Sequence, residues 1–285
     1  MLLIADGGST KTSWSLIDED NPVIAFETEG YHPFFVDSEY ITHSLETCLT
    51  DDIRKTAKKI HKIFFYSAGG GYSIASDNVI VEGLSRIFSN AGIRIETDLL
   101  GAARALLQDK EGMAAILGTG SNSCLYDGEK ITHNIESLGF VLGDEGSGAY
   151  MGKKIIGDYI RGYMPPEVKE EFADHCKMTA DELIDQIYTQ PMPNKFCAGF
   201  CRFIGKNIDK HEYYPKIVYD SFEDLFKNII SGYPDYKKHS FNCVGSIAFH
   251  FQSILAKVVK KNGMILGNIL QYPMEGLINY HQNKK

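Results

Sequence analysis

Residues 2–15 read LLIADGGSTKTSWS. An apolar run breaks at Asp6-Gly7-Gly8 and resumes as an extended segment through Thr12 and Trp14. Two strands joined over a pair of glycines make a hairpin. Its turn exposes backbone N–H groups beside the hydroxyls of Ser9, Thr10 and Thr12 and the ammonium of Lys11, a concave donor surface suited to phosphate oxygens. Asp6 stands at the edge, where a carboxylate suits a hydrated Mg²⁺. An ordinary hairpin with a polar tip satisfies the same pattern, so the stretch gains weight only from a second copy.

The second copy starts at Met113. Met113 to Leu117 is apolar, Gly118-Thr119-Gly120 turns, and Ser121 to Tyr126 continues as a strand. Asp127-Gly128 is a strong hairpin signal leading into residues 130–135. With residues 22–29 as the third strand of the first set, both sets read as antiparallel strands opened by a turn of small and hydroxyl residues. Two such turns suit the clamping of a polyphosphate between two domains. Lys110-Glu111-Gly112 marks the boundary: residues 1–110 form a first domain and 111–270 a second, with a helical insertion at about 165–240.

Between the hairpins, Gly30 to Phe35 is a loop of aromatic rings, either a packed corner or the wall of a small-molecule pocket. Asp37-Ser38 precedes Tyr40, Ile41, Leu45, Leu49 and Ile53 at helical spacing. Residues 62–68 form a strand halted by Gly69-Gly70-Gly71. Asp77 is placed to cap a helix carrying Val81, Leu84 and Phe88 that stops near Gly92. Residues 93–96 form a short strand, and Thr97-Asp98 opens a helix to Leu107. This order implies a mixed sheet with helices against it.

In the second half, residues 138–148 read LGFVLGDEGSG before a helix with Tyr150, Met151, Ile155, Ile156 and Tyr159. Asp144 and Glu145 either complement that helix dipole or hold a ligand, and the flanking glycines favour the ligand. Residues 165–240 are mostly helical, punctuated by Pro165, Pro166, Pro191 and Pro193. Residues 240–244 form a strand ending in Gly245-Ser246 before a helix from Ile247 to about Lys260, a junction that offers N–H groups to a nucleotide. Residues 265–270 give a last strand, and Pro273 starts a final helix through Tyr280.

Composition narrows the function classes. A length of 285 residues suits two moderate domains or one large one. Hydrophobic and charged shares of 44% and 23% are those of a soluble globular protein. A net charge of −8 argues against a nucleic-acid or anionic-membrane surface. No apolar run reaches the roughly 18 residues of a membrane span, and the apolar start is too short for a signal sequence. The six cysteines are scattered with no CxxC pair, which disfavours zinc or an iron–sulfur cluster and leaves buried free thiols in a cytoplasmic protein.

Taken in order, Asp6-Gly-Gly-Ser-Thr-Lys-Thr12, Thr97-Asp98-x-x-Gly101-Ala102, Leu117-Gly-Thr-Gly-Ser-Asn122, Gly143-Asp-Glu-Gly-Ser147, Phe196-x-Ala-Gly-Phe-Cys201 and Cys243-Val-Gly-Ser246 resemble the N-acetylglucosamine kinase branch of the BadF/BadG/BcrA/BcrD ATPase family. The resemblance implies an α/β fold of two ribonuclease-H-like (actin-like ATPase) domains. Each is a mixed sheet flanked by helices, the nucleotide lies in the cleft between them, and the last helix, about 271–285, packs back on the first domain. It implies ATP and Mg²⁺ as cofactors. Asp98 matches the catalytic aspartate, which takes the proton of a sugar hydroxyl; its side chain also suits a helix cap. Gly8, Ser9, Thr10, Lys11 and Thr12 match one phosphate hairpin and Gly118, Thr119 and Gly120 the other. Ala198, Gly245 and Ser246 match positions near the nucleoside. Ser121, Asn122, Gly139 and Asp144 match positions that contact the sugar. Asp6 would hold Mg²⁺ through water.

Two residues depart from that pattern, both in the acceptor half. His32 stands where the N-acetylglucosamine kinases carry a sugar-binding Asn, and Leu138 where they carry a Trp. Histidine lacks the amide's paired donor and acceptor, and losing an indole removes a large contact face. The expected activity is transfer of the γ-phosphoryl group of ATP to the 6-hydroxyl of N-acetylglucosamine or a related hexosamine. The alternatives are a kinase for glucosamine or another amino sugar, an ATPase driving a redox partner protein, and a non-catalytic sugar sensor. The absence of a Cys-rich zinc motif argues against the repressor-type sugar kinases. The helical region 165–240 shapes either the acceptor side or the face of a homodimer.

Overall fold

The computed structural model describes residues 1–8, 11–18, 23–33, 36–71 and 73–284. The chain divides into two compact units, one comprising Met1–Asp109, Gly128–Lys130 and Pro273–Lys285, the other Lys110–Asp127 and Ile131–Tyr272.

In the first unit, strands β1 (Leu2–Gly7), β2 (Lys11–Ile17), β3 (Ile24–Glu29), β4 (Lys62–Ser67) and β5 (Gly92–Thr97) form one sheet in the order β3-β2-β1-β4-β5. The first three are antiparallel, and β4 and β5 run parallel to β1. Alternation along the strands sends side chains to two faces. Leu3, Ala5, Trp14, Leu16 and Phe65 turn to one, where they bury with Ile41 and Leu45 of α1 (Ser38–Cys48) and Ile80 and Leu84 of α3 (Ile74–Ser85). Trp14 is the centre of this core. Its ring stacks on Phe26 at 5.5 Å and meets Phe65 edge-on at 5.5 Å, while its Nε1 donates to Thr28 Oγ1 at 3.0 Å. Tyr31 joins them and donates to Ser44 Oγ at 2.9 Å, so this part of the aromatic loop is a packed corner. Phe34 and Phe35 of that loop lie outside the described residues, as does Pro22.

The opposite face carries Ile4, Asp6, Phe64 and Tyr66. It meets α4 (Asp98–Leu107) and the last helix, α14 (Met274–Asn283). The two helices pack closely: a Cβ on Gly276 would lie 2.4 Å from the Ala105 carbonyl oxygen, and Gln108 Nε2 donates to Gly276 O at 3.1 Å. His281 of α14 hydrogen-bonds Tyr66 Oη at 2.9 Å, and Arg104 of α4 donates to the same oxygen at 3.0 Å.

Two local expectations are corrected here. The apolar spacing from Tyr40 to Ile53 spans two helices, α1 and α2 (Asp51–Thr56), because Leu49 leaves the helix with an extended backbone (φ −68°, ψ 125°). Helix α3 is capped by Ser73, which accepts from Ser76 N–H, and ends at Ser85 rather than near Gly92. Asp77 lies in its first turn and accepts the Gly71 N–H at 2.7 Å, holding the glycine turn instead.

The second unit repeats the first sheet's wiring. Strands β6 (Gly112–Leu117), β7 (Ser121–Tyr126), β8 (Ile131–Asn134), β9 (Ser240–Val244) and β10 (Ile265–Leu270) follow the order β10-β9-β6-β7-β8. Again the first three are antiparallel and the last two parallel. The central strand of each sheet therefore ends in a turn that leads into its antiparallel neighbour. Between β8 and β9 run α5 (Gly139–Leu142), α6 (Gly148–Arg161), α7 (Pro166–Cys176), α8 (Ala180–Tyr188), α9 (Pro193–Gly199), α10 (Cys201–Lys206) and α11 (Tyr213–Asn228). Between β9 and β10, the single helix expected from Ile247 to Lys260 is split by Phe251 (φ −107°, ψ 24°) into α12 (Ser246–His250) and α13 (Gln252–Lys261). Phe172, Phe222, Phe226 and Phe241 fill the core, and α6 meets α9 so tightly that a Cβ on Gly152 would lie 2.0 Å from the Cys197 carbonyl oxygen.

All six cysteines are free, and burial pushes the thiols of Cys124 and Cys201 up to about 12. Among the described residues no helix is long and apolar enough to cross a membrane.

Candidate functional site

Each unit presents chemistry at the turn that follows its central strand. In the first, Asp6 is the penultimate residue of β1, and Asp98 opens α4 just after β5. Both carboxyls are recessed among protein atoms while water still reaches them. Loss of hydration, then the nearby charge of Asp98, pushes Asp6 up to about 7, with Lys11 opposing. Loss of hydration pushes Asp98 up to about 6, partly offset by its own backbone hydrogen bonds. Asp98 Oδ1 accepts the Leu99 N–H at 2.8 Å, while Thr97 caps the helix by accepting the Leu100 N–H at 3.1 Å. The cap and the carboxylate are thus neighbouring residues with separate partners. Asp98 is released from capping duty.

The first hairpin differs from expectation in which side chains face Asp6. Asp6 pairs across the sheet with Ser13, and directly opposed residues project to the same face. Thr12 is one residue out of phase. Its side chain is fully buried on the Trp14 face, and its hydroxyl has no hydrogen-bond partner among the described residues. Thr12 thus shares the face of the Trp14 core, whereas Ser13, which sequence reasoning passed over, stands beside Asp6. Period-two alternation from Trp14 would have found it. Lys11 is tied to Glu27 at 2.6 Å, and the Gly8 N–H closes the turn onto Lys11 O at 2.9 Å rather than pointing outward. Ser9 and Thr10 lie outside the described residues. His32 is half-buried over the turn after β4, where a Cβ on Gly69 would lie 2.7 Å from its Cε1; burial lowers its pKa.

In the second unit the turn Gly118-Thr119-Gly120 is braced from below. Gly148 N–H and Ala149 N–H, at the start of α6, donate to Gly118 O and Thr119 O at 2.8 and 3.0 Å. Asp144 has a left-handed backbone (φ 61°) and is 7% exposed, and its Oδ1 accepts the Ser121 N–H at 3.3 Å. A Cβ on Gly120 would lie 3.0 Å from Asp144 Oδ2, so the glycine makes room for this brace. Burial raises the Asp144 pKa, opposed by the Ser121 N–H and by Lys153. Glu145 is held apart from it, accepting from Asn228 Nδ2 at 2.8 Å. The paired acids have separate structural partners, and Ser147 caps α6.

The expected acceptor residues of this unit fall into two groups. Ser121 and Asn122 lie on β7: the Ser121 hydroxyl is buried without a hydrogen-bond partner among the described residues, while Asn122 Oδ1 accepts from Ser123 N–H and Asn134 Nδ2 at 2.9 and 3.0 Å. Leu138 and Gly139 lie on a separate exposed turn, both left-handed (φ 60° and 66°). Leu138, Val141 and Leu142 are 63%, 82% and 75% exposed there. Lys153 fixes the turn by donating to Phe140 O, its ammonium 4.9 Å from the Phe140 ring.

A cavity of about 770 Å³ opens beside the turn, lined by Gly118, Thr119, Ala198 and Ser246 among others. Four residues expected near phosphate or nucleoside thus meet on one wall. Gly245 lies beneath it: with φ 133°, a Cβ there would lie 2.2 Å from Leu117 O, so the backbone of β9's end can approach β6 only as glycine. Lys195, Arg202, Lys206 and His250 also line this cavity and were not singled out beforehand. The spacing of the first three along one helical stripe was the available signal.

The chain is 40% identical to a candidate N-acetylglucosamine kinase from Porphyromonas gingivalis of known structure, covering 99% of both chains with a TM-score of 0.92. The chain belongs to the N-acetylglucosamine kinase family. A second candidate N-acetylglucosamine kinase, from Chromobacterium violaceum, shares the fold with a TM-score of 0.71 at 15% identity, covering 98% of both chains. An N-acetylmuramic acid/N-acetylglucosamine kinase from Clostridium acetobutylicum is 24% identical over 235 residues, 79% of this chain and 76% of the relative. No protein-family model matches the chain.

Proposed function

We propose that the protein is an ATP-dependent kinase that transfers the γ-phosphoryl group to the 6-hydroxyl of N-acetylglucosamine or a closely related hexosamine, with Asp98 as general base. The observation that carries this reading is Asp98 itself. Its Oδ1 accepts the Leu99 N–H, which orients a carboxyl that water still reaches and that suits accepting a sugar hydroxyl proton. A pKa near 6 keeps the group ionised at neutral pH yet basic enough to take that proton as the new P–O bond forms. Family membership supports the donor and acceptor classes.

The remaining catalysis is positioning and charge stabilisation. The braced Gly118–Gly120 turn offers a rigid backbone to phosphate oxygens, and the cavity beside Ala198 and Ser246 is of a size suited to a nucleoside. Asp6 fits a role toward Mg²⁺, because its carboxyl is pushed up by burial and by Asp98 with only Lys11 against them. Mg²⁺, held there through water, would neutralise charge on the transferring phosphates. A cytoplasmic location fits an enzyme that consumes ATP.

A coupled ADP-release assay with Mg·ATP and a panel of N-acetylglucosamine, glucosamine, N-acetylmuramic acid and glucose tests the proposal. Turnover with N-acetylglucosamine supports it. Turnover with another amino sugar alone would keep Asp98's role and reassign His32 and Leu138 as the residues that set the acceptor. ATP hydrolysis indifferent to every sugar would overturn it.

A further inference from the structure

The cavity of the second unit has two lysines and an arginine on its wall. Ala198 lies beside the Gly118–Gly120 turn: a Cβ on Gly148 would be 3.2 Å from the Ala198 Cβ, and Gly148 N–H donates to Gly118 O. From there α9 passes through Phe200, itself helical (φ −69°, ψ −14°), into α10. Lys195, Ala198, Arg202 and Lys206 recur at intervals of three or four and present one stripe to the cavity. At about 1.5 Å of rise per residue, the Arg202 and Lys206 backbones lie about 6 and 12 Å beyond Ala198.

None of the residues lining this cavity is acidic, and none of Lys195, Arg202 and Lys206 makes an ion pair among the described residues. His250 adds a further nitrogen base from α12. Like charges gathered on one wall repel one another, and an anionic ligand relieves that repulsion. Elsewhere the chain is acidic, with a net charge of −8, so the concentration of cations here is local.

We propose that this stripe binds a second phosphate carried on the ribose, so that nucleotides phosphorylated at the 2′ or 3′ position as well as the 5′ occupy the cavity in competition with ATP. The inference rests on reading the cavity as the nucleotide pocket. If the 5′-phosphates sit on the Gly118–Gly120 turn, ATP offers only an uncharged ribose and base to Arg202 and Lys206. A ribose phosphate places two further negative charges within reach of a guanidinium and an ammonium, a charge-assisted contact of the strong class.

Isothermal titration of the full chain with ADP, AMP, adenosine 3′,5′-bisphosphate and adenosine 2′,5′-bisphosphate tests it. One bisphosphate should bind at least about tenfold tighter than AMP. That ratio should shrink as KCl is raised, and fall toward one in the Arg202→Gln/Lys206→Gln variant. The same bisphosphate should raise the apparent KM for ATP without changing kcat. If ADP binds but neither bisphosphate exceeds AMP, the inference fails while the nucleotide pocket stands. A variant that weakens AMP and bisphosphate equally also overturns it, assigning the cations to the base or the 5′-phosphate. If ADP itself does not bind, the pocket reading fails and the inference with it. Should the variant not fold, the salt series on the native chain decides, and a salt-independent ratio overturns the proposal.

Discussion

Asp98 raises the pKa of Asp6, although the two residues come from different ends of the first unit's sheet-forming segment. One is the penultimate residue of the central strand; the other opens the helix after the last strand. Two recessed carboxyls of this kind are unfavourable to folding and useful to chemistry: burial raises both, and the charge of Asp98 raises Asp6 further.

Replacing Asp98 with Asn should lower turnover by roughly 10²–10⁴, the range for a lost general base. ADP binding by titration separates this from a collapse of the site. In the native enzyme, kcat/KM should fall as pH drops through about 6, because a carboxyl raised to that value is protonated below it and can no longer accept the sugar proton. A pH profile flat from 5 to 8 would remove Asp98 from the role.

Asp6→Asn should stabilise the metal-free protein at pH 8 while abolishing most activity. The unfolded carboxyl ionises near 3.8 and the folded one near 7, so between those values the unfolded state holds fewer protons and folding weakens as pH rises. Removing the charge lifts that penalty, by roughly 1–2 kcal/mol after relaxation. Thermal melts with chelator read the gain. Added Mg²⁺ should raise Tm in the native chain and not in the variant.

His281 gives the opposite pH sign. Burial, with the nearby charges of Arg104, Lys62 and Lys284, lowers its pKa to about 4 from 6.5, so the folded state keeps the ring neutral while the unfolded state takes up a proton. Its contribution is present above about 6.5 and fades as pH falls toward 4. The stability lost in His281→Gln, measured by urea melts, should therefore be largest above pH 7 and shrink by no more than about 1.4 kcal/mol per pH unit below it.

Gly245→Ala should destabilise by about 2–3 kcal/mol or more, combining a left-handed strain with a Cβ 2.2 Å from Leu117 O. Because Leu117 leads directly into the Gly118–Gly120 turn, ADP affinity should fall in the variant that remains folded. Unchanged Tm and affinity would show that β6 and β9 are not as closely apposed as described.

Much of this was readable in the amino-acid order. Both hairpins, the repeat of three antiparallel strands and the strand–helix junction at Thr97-Asp98 follow from apolar runs broken by glycine and hydroxyl residues. What escaped was whatever depends on partners distant in sequence. Asp144 reads as a ligand-binding acid in the sequence, and only the fold shows that its carboxylate also accepts the Ser121 N–H. Asp77 looks like a cap until Gly71 claims it. Thr12 and Ser13 show a different limit: a motif names residue types, whereas only strand phase says which face each one serves.

The return of α14 to the first unit has a consequence for biosynthesis. The second unit is nearly continuous in sequence, so it can assemble as soon as residues 110–272 have emerged. The first unit cannot: Gly276 and His281 must still arrive to cover α4 and Tyr66. On the ribosome the amino-terminal unit is therefore the later one to finish, and the helix carrying Asp98 is secured last, reversing the usual vectorial order.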